Sequence, residues 1–304
     1  MELSYENEIN LAFDKPLEYK NVLLYPATLP FYSIFASADE CLDVSRIDER
    51  DIRLLRLPYL DYMYEKSLKD KSFKYRWDML AIILKVVLGE TQPFDIITIE
   101  GKIVLRVYQR SQDYEKWEKE YNEKKEYFFN QAKKNNPGAE QIISFSEQLK
   151  KIEEKMYKSI DFNAQDFEQI RQMIMVQNDI VPQHYNAQTE KLLYEMKQKL
   201  KMAQSSGKKS DMTLEDLVDI LSYCTGWKNK DMWEMTIRRF NRMLDKALKK
   251  DDYYMYKQLE LCGMIKMKSE VPSWTSHYRP KGKFDDILTD GGALLSSLGE
   301  ENKI

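Results

Sequence analysis

Glycine is scarce in this chain, at ten of 304 residues, about half the usual share. The shortage disfavours Gly-rich phosphate loops and turn-dense β arrays. Neither G-x-G-x-x-G nor G-x-S-x-G occurs. Gly207-Lys208-Lys209-Ser210 imitates the end of a P-loop, but the other glycine it needs falls at Met202 and no strand precedes it. Histidine appears only as His184 and His277, both in Pro-flanked stretches, so a Ser or Cys triad has almost no base to draw on. The three cysteines, Cys41, Cys224 and Cys262, lie far apart and in odd number. They make no disulfide framework and no C-x-x-C zinc spacing, and read as small apolar residues of a reducing compartment. Asp251-Asp252 and Asp285-Asp286 read as helix-end or surface acids rather than a Mg²⁺ site. No catalytic residue, metal ligand or cofactor is expected; the chain reads as a non-enzyme.

Long apolar runs are missing too. The longest, Met79 to Leu88, is broken by Lys85, far short of a membrane span. The opening MELSYENEIN is polar and acidic, unlike a signal peptide.

What remains is a chain 43% hydrophobic, 32% charged and 12% aromatic, enough apolar material for a packed core. The net charge of -3 is unevenly spread. Residues 1–190 carry 26 basic and 33 acidic side chains, 191–283 carry 20 and 12, and 284–304 carry 1 and 5. A basic third between acidic ends points to an anionic partner or to self-complementary contacts, including a homo-oligomer.

The pattern predicts a mainly α protein with a small β-hairpin, an α+β fold with a helical C-terminal domain and a projecting αα-hairpin. Residues 1–20 read as an extension that is mobile or ordered by a partner. An α+β domain follows over 21–110, with a strand near Val22–Tyr25, a helix over Ile47–Leu57 ended by Pro58, and another over Phe73–Leu88 stopped by Gly89. Its hairpin spans 95–108 around Glu100-Gly101-Lys102.

From 111 to 160 the composition turns polar. Tyr114, Trp117, Tyr121 and Phe128, then Ile142, Phe145, Leu149, Ile152 and Met156, recur at helical spacing on either side of Asn135-Asn136-Pro137-Gly138. These predict two antiparallel helices of about 33 Å each. Residues 161–270 read as the helical domain, with caps at Asn163 or Asp161, Thr189, Thr213 and Thr236, and a polar linker at Ser205–Ser210. Residues 271–304 read as an irregular, acidic tail.

Two groups stand out as contact candidates. Arg238, Arg239 and Arg242 flank the apolar stripe Ile237, Phe240, Leu244 and Leu248. As a reading helix they would suit DNA, with Lys246, Lys249 and Lys250 on phosphates, but the Gly226-to-Thr236 segment is longer than a usual helix-turn-helix turn. Trp274 and Tyr278 lie beyond the last helix in a Pro-flanked segment, and such aromatics either strap down locally or anchor a partner.

Several phrases occur together in order: Leu57-Pro58-Tyr59-Leu60-Asp61, Asp166-Phe167-Glu168-Gln169-Ile170-Arg171 with Gln177-Asn178, Met235-Thr236-Ile237-Arg238-Arg239-Phe240, and Tyr256-Lys257-Gln258 with Glu260 and Gly263-Met264. Across residues 20–285 this order resembles late proteins of phages infecting Gram-positive bacteria, encoded near the tail tape-measure gene. The resemblance implies a tail-assembly chaperone or baseplate protein made in the host cytoplasm and sometimes retained in the virion tail. Its partners would be phage tail or baseplate proteins, with nucleic acid the weaker alternative and no membrane.

Overall fold

A computed structural model describes residues 3–46, 49–134, 138–182, 213–262 and 273–280, with positions 189, 192, 193, 195, 196 and 282 between and beyond them. Mainly α with two small antiparallel sheets, the fold follows the expected class.

The N-terminal residues depart from the expected extension. Helix α1 (Tyr5–Ala12) starts at Ser4, whose side chain accepts from the Asn7 backbone N–H. The Asn7 side chain is buried and bonds both the N–H and the carbonyl of Glu18, at 2.9 and 3.0 Å. That double bond ties α1 to strand β1 (Leu17–Tyr19), which pairs with β2 (Val22–Leu24) through a two-residue turn. Lys20 and Asn21 both adopt positive φ, the conformation such a turn demands. Polar composition concealed this local order.

After a 3-10 turn at Leu29–Phe31 come the short helices α2 (Tyr32–Phe35), α3 (Asp39–Leu42) and α4 (Ile52–Leu55), then α5 (Tyr59–Ser67). The helix expected over Ile47–Leu57 shrinks to α4, because Asp51 caps Arg53 and begins it late. Glu49, upstream, is drawn instead to Lys66 at 2.9 Å. Helix α6 (Lys71–Leu88) is capped by Asp70 and buries Phe73, Leu80, Ile83, Leu84, Val87 and Leu88. It ends at Gly89, whose φ of 68° a side chain would resist.

Strands β3 (Phe94–Ile99) and β4 (Lys102–Arg110) form the expected hairpin, in register Ile99↔Lys102. Helices α7 (Tyr114–Lys134) and α8 (Ala139–Met156) form the arm, with Phe128 and Phe145 stacked 3.9 Å apart. The Asn135–Pro137 break lies outside the described residues. An unexpected strand, β5 (Tyr157–Phe162), follows and pairs with β4, so the arm is an insertion between two neighbouring strands. Lys158, Ser159 and Asp161 hid that strand: it is an edge strand, with Asp161 held by Arg106 through two bonds of 2.6 and 2.7 Å.

Helix α9 (Ala164–Gln177) has the reciprocal cap Asn163/Asp166. The sequence reading grouped it with the C-terminal helices; Phe167, Ile170 and Ile174 instead pack with α5, α6 and β4 in the large core. Its stripe is apolar enough to be buried in the body, whereas the later helices offer fewer such residues.

Those later helices are α10 (Leu214–Thr225), α11 (Asn229–Trp233) and α12 (Ile237–Leu261). Thr213 and Asp216 form the reciprocal cap of α10, which stops at Gly226 in the left-handed region. Val218, Leu221, Met232, Met235 and Phe240 build a second, smaller core around Leu29. Its docking is a backbone stitch: Leu29 donates to Met235, Ile237 donates to Ala27, and Thr28 bridges Thr236. The expected linker at Ser205–Ser210, most of the helix after Thr189, and the tail beyond Gly282 fall outside the described residues.

Candidate functional site

Three chain segments meet where α9 ends. Asn178 caps the helix, and Asp179 turns the backbone at φ 58°. The Asp179 carboxylate, only 6% exposed, accepts a 2.9 Å bond from the Tyr278 hydroxyl and faces the Arg238 guanidinium at 3.4 Å. Burial pushes this carboxyl above its ordinary range, against the pull of Tyr278 and Arg238. Burial also raises the Tyr278 phenol, and neighbouring Asp179 adds to it. Arg238 reaches further, donating to the Leu11 carbonyl at 2.7 Å. One guanidinium thus joins α1, the end of α9 and α12.

The other candidates lie alongside. Arg239 approaches Asp14 at 3.7 Å and sits over the Trp227 ring. Lys246 donates to the carbonyls of Trp274 (3.4 Å) and Ser276, fixing residues 273–276 against α12. Trp274 lines the same cavity as Tyr223, Met243 and Ala247.

Two cavities open on this face, and Arg242 borders both. The larger, about 1020 Å³, is walled by the ends of α1 and α10, by α12 and by Trp274. Arg239, Arg242, Lys246 and Lys250 supply four cations against Asp14 and Asp251, with Phe13 and Tyr223 at the rim. The smaller, about 340 Å³, lies between Val176–Pro182, Arg238 and the segment His277 to Pro280. The five residues singled out from sequence therefore border one continuous face. Missed were Asp179, Asp14, Phe13 and Tyr223, from segments remote in the chain; only an aspartate just after a helix end gave any local signal.

A second exposed surface is the arm. Tyr127, Phe129, Ile142 and Ile143 are about half exposed or more around the Phe128–Phe145 stack. Its root is better held: Ile152 and Met156 are buried, and Tyr114 and Tyr157 pack edge to face.

Among the described residues, reactive side chains are not gathered on this face. Cys41 is buried and its thiol is pushed up to about 11, chiefly by burial, so it is protonated at neutral pH. His277 borders the smaller cavity, while His184 lies outside the described residues. Among the described residues no group of His, Cys, Asp and Glu is arranged to hold a metal ion, and no helix is long and apolar enough to cross a membrane.

The chain is thus an α+β protein with a polar arm and an aromatic, cationic face on its C-terminal helices. Residues 206–279, which include α10 to α12 and Trp274, match the family described as YomV second domain, of phage-derived proteins. No curated protein and no solved structure matches the chain.

Proposed function

We propose that this chain is a non-enzymatic phage tail-morphogenesis protein, a tail-assembly chaperone or baseplate-associated subunit that works through protein contacts in the host cytoplasm. The observation that carries the reading is the surface of the phage-related segment. There, Tyr223 (92% exposed) lines the cationic cavity, and Trp227, Leu248, Tyr254, Met255 and Leu261 are exposed elsewhere on the same segment. Aromatic side chains with arginine are the composition of protein-contact surfaces. The same arginines support duplex DNA less well. Arg238 is committed to Asp179 and Leu11, and Arg239 to Asp14 and Trp227, so two of the three expected readers are engaged inside the chain.

Purification of the tagged full chain from phage-producing cells, with mass spectrometry of the eluate and of purified particles, tests this. Tail or baseplate proteins in the eluate support the reading. A stoichiometric presence in particles then marks a subunit, and absence from them an assembly factor. Recovery of nuclease-sensitive DNA complexes without tail proteins would overturn it.

A further inference from the structure

The large cavity combines features that narrow its occupant. Four cations outnumber two acids along its wall, so it favours negative charge. It is also flanked by Ala12 to Asp14 and Tyr223 to Thr225, where α1 and α10 end. Helix ends of that polarity present backbone carbonyls, which are acceptors carrying partial negative charge. A duplex phosphate backbone brings a dense row of acceptors to meet them. A polypeptide brings N–H donors as well as carboxylates, and can space its charges. The rim adds apolar surface in Phe13, Tyr223 and Trp274. The fitting occupant is therefore an acidic peptide with aliphatic side chains.

This chain carries such a peptide. Residues 284–304 hold Asp285, Asp286, Asp290, Glu300 and Glu301 against one lysine, interleaved with Ile287, Leu288, Leu294, Leu295 and Leu298. They follow the segment that already lies on this face, where Lys246 holds the carbonyls of Trp274 and Ser276. The 22 residues after Gly282 extend to about 75 Å at full stretch, so reach is no obstacle. We propose that the acidic segment 284–304 docks in cis in the cavity between α1, α10 and α12, with its carboxylates on Arg242 and Lys250. The proposal stands apart from the phage role, because it concerns a contact within one chain.

Zero-length carbodiimide crosslinking of the full chain at monomeric dilution is the direct test. Amide links joining Lys246 or Lys250 to the carboxylates of 285–301, within single chains, are expected. A labelled synthetic peptide of residues 284–304 is then titrated into two full-length proteins. One is wild type; the other has Asp285, Asp286 and Asp290 changed to Asn, and Glu300 and Glu301 changed to Gln. Neutralising the resident tail should tighten binding of the added peptide at least tenfold. Adding Arg242→Glu and Lys250→Glu to the neutral-tail protein should reverse that gain, with unchanged circular dichroism showing that the fold persists. Equal peptide binding by wild type and neutral-tail protein, or groove links found only in covalent dimers, would overturn docking in cis. So would tail carboxylates crosslinked solely to lysines elsewhere.

Discussion

Among the described residues, the core of the body joins twenty-nine buried side chains, those of α6 included and Ile237 lent by α12, whereas the core of the C-terminal helices has six, one of them Leu29 from the body. The body closes on itself through paired strands and long buried side chains. The smaller unit leans on a backbone stitch at Ala27–Leu29 and on Arg238. The less self-sufficient unit exposes Tyr223, Trp227, Leu248 and Leu261 and carries the four cations of the large cavity. Local stability varies across a fold, and segments that meet partners tend to come from its weaker end. The contrast teaches that the body supplies stability while the C-terminal helices supply a surface that can adjust.

The largest effects should come from the two cores. Leu84 is fully buried in the body, and Leu84→Ala should cost about 2–5 kcal/mol, lowering a single melting transition for the whole chain. Phe240 is as fully buried but in the smaller core, edge to face with Tyr32. Phe240→Ala should cost about 3–5 kcal/mol locally, loosening α10 to α12 first. Hydrogen exchange by mass spectrometry reads this: fast exchange confined to 214–261 is expected, and equal acceleration in α6 would erase the distinction between the units.

The stitch between them comes next in size. Asn178 is buried, accepts from the Ala27 N–H at 2.9 Å and donates to the Ile174 carbonyl at 2.8 Å. The carbonyl of Ala27 in turn receives the Ile237 N–H. Asn178→Ala leaves a buried donor unpaired and should cost about 1–3 kcal/mol. Its signature is faster exchange at Ile237, far along the sequence; an unchanged rate there would mean the stitch does not couple the units.

A pH profile sharpens the comparison further, because α9 has a carboxylate near each end. Burial alone would raise Asp166, but bonds from Lys20 and Tyr19 and the Asn163 N–H hold it below the ordinary carboxyl range. Asp179 is raised, chiefly by burial. With its folded pKa depressed, Asp166 stabilises the protein above the unfolded value, and that contribution is lost as pH falls through the folded value. For Asp179 the sign reverses: stability declines as pH climbs from the unfolded to the raised folded value. Melting temperatures across acid to neutral pH should therefore lose part of the acid-side drop in Asp166→Asn, and part of the decline on raising pH in Asp179→Asn. Parallel profiles for the two variants would contradict the opposite environments.

How much of this the sequence disclosed depended on how local each signal was. The caps at Asn163, Thr213 and Thr236, the Gly89 stop, and the β3–β4 hairpin rest on residues within a few positions of each other, and all were legible. Helix α1 and strand β5 were not, since their order comes from partners elsewhere: Glu18 for Asn7, and β4 for Tyr157–Phe162. The face around Asp179 joins residues 99 positions apart in the Tyr278 bond. The sequence could nominate Arg238 and Tyr278 by type but not find the aspartate that both contact.

The smallest effect belongs to the arm, which tests whether a third region matters to either core. Removing the whole polar stretch from Gln112 to Lys158 would take Tyr157 and Lys158 out of the β4–β5 ladder. It would also remove buried Ile152 and Met156. The proper excision keeps the root. Phe128 faces Phe145, so in an antiparallel pair Tyr121 lies near Ile152. Deleting residues 122–151 and joining Tyr121 to Ile152 through a short Gly/Ser bridge leaves the Tyr114–Tyr157 packing and the strand register intact. What is lost is the Phe128–Phe145 stack and exposed apolar surface, which the rest of the fold does not use. A shorter flexible connection costs somewhat less loop-closure entropy than a longer one. The shortened chain should melt cooperatively within a few degrees of the parent, by circular dichroism, with α6 and α12 exchanging as before. A broad, early transition would show that the distal arm carries load for the body, and the division between a stable body and peripheral contact surfaces would have to be redrawn.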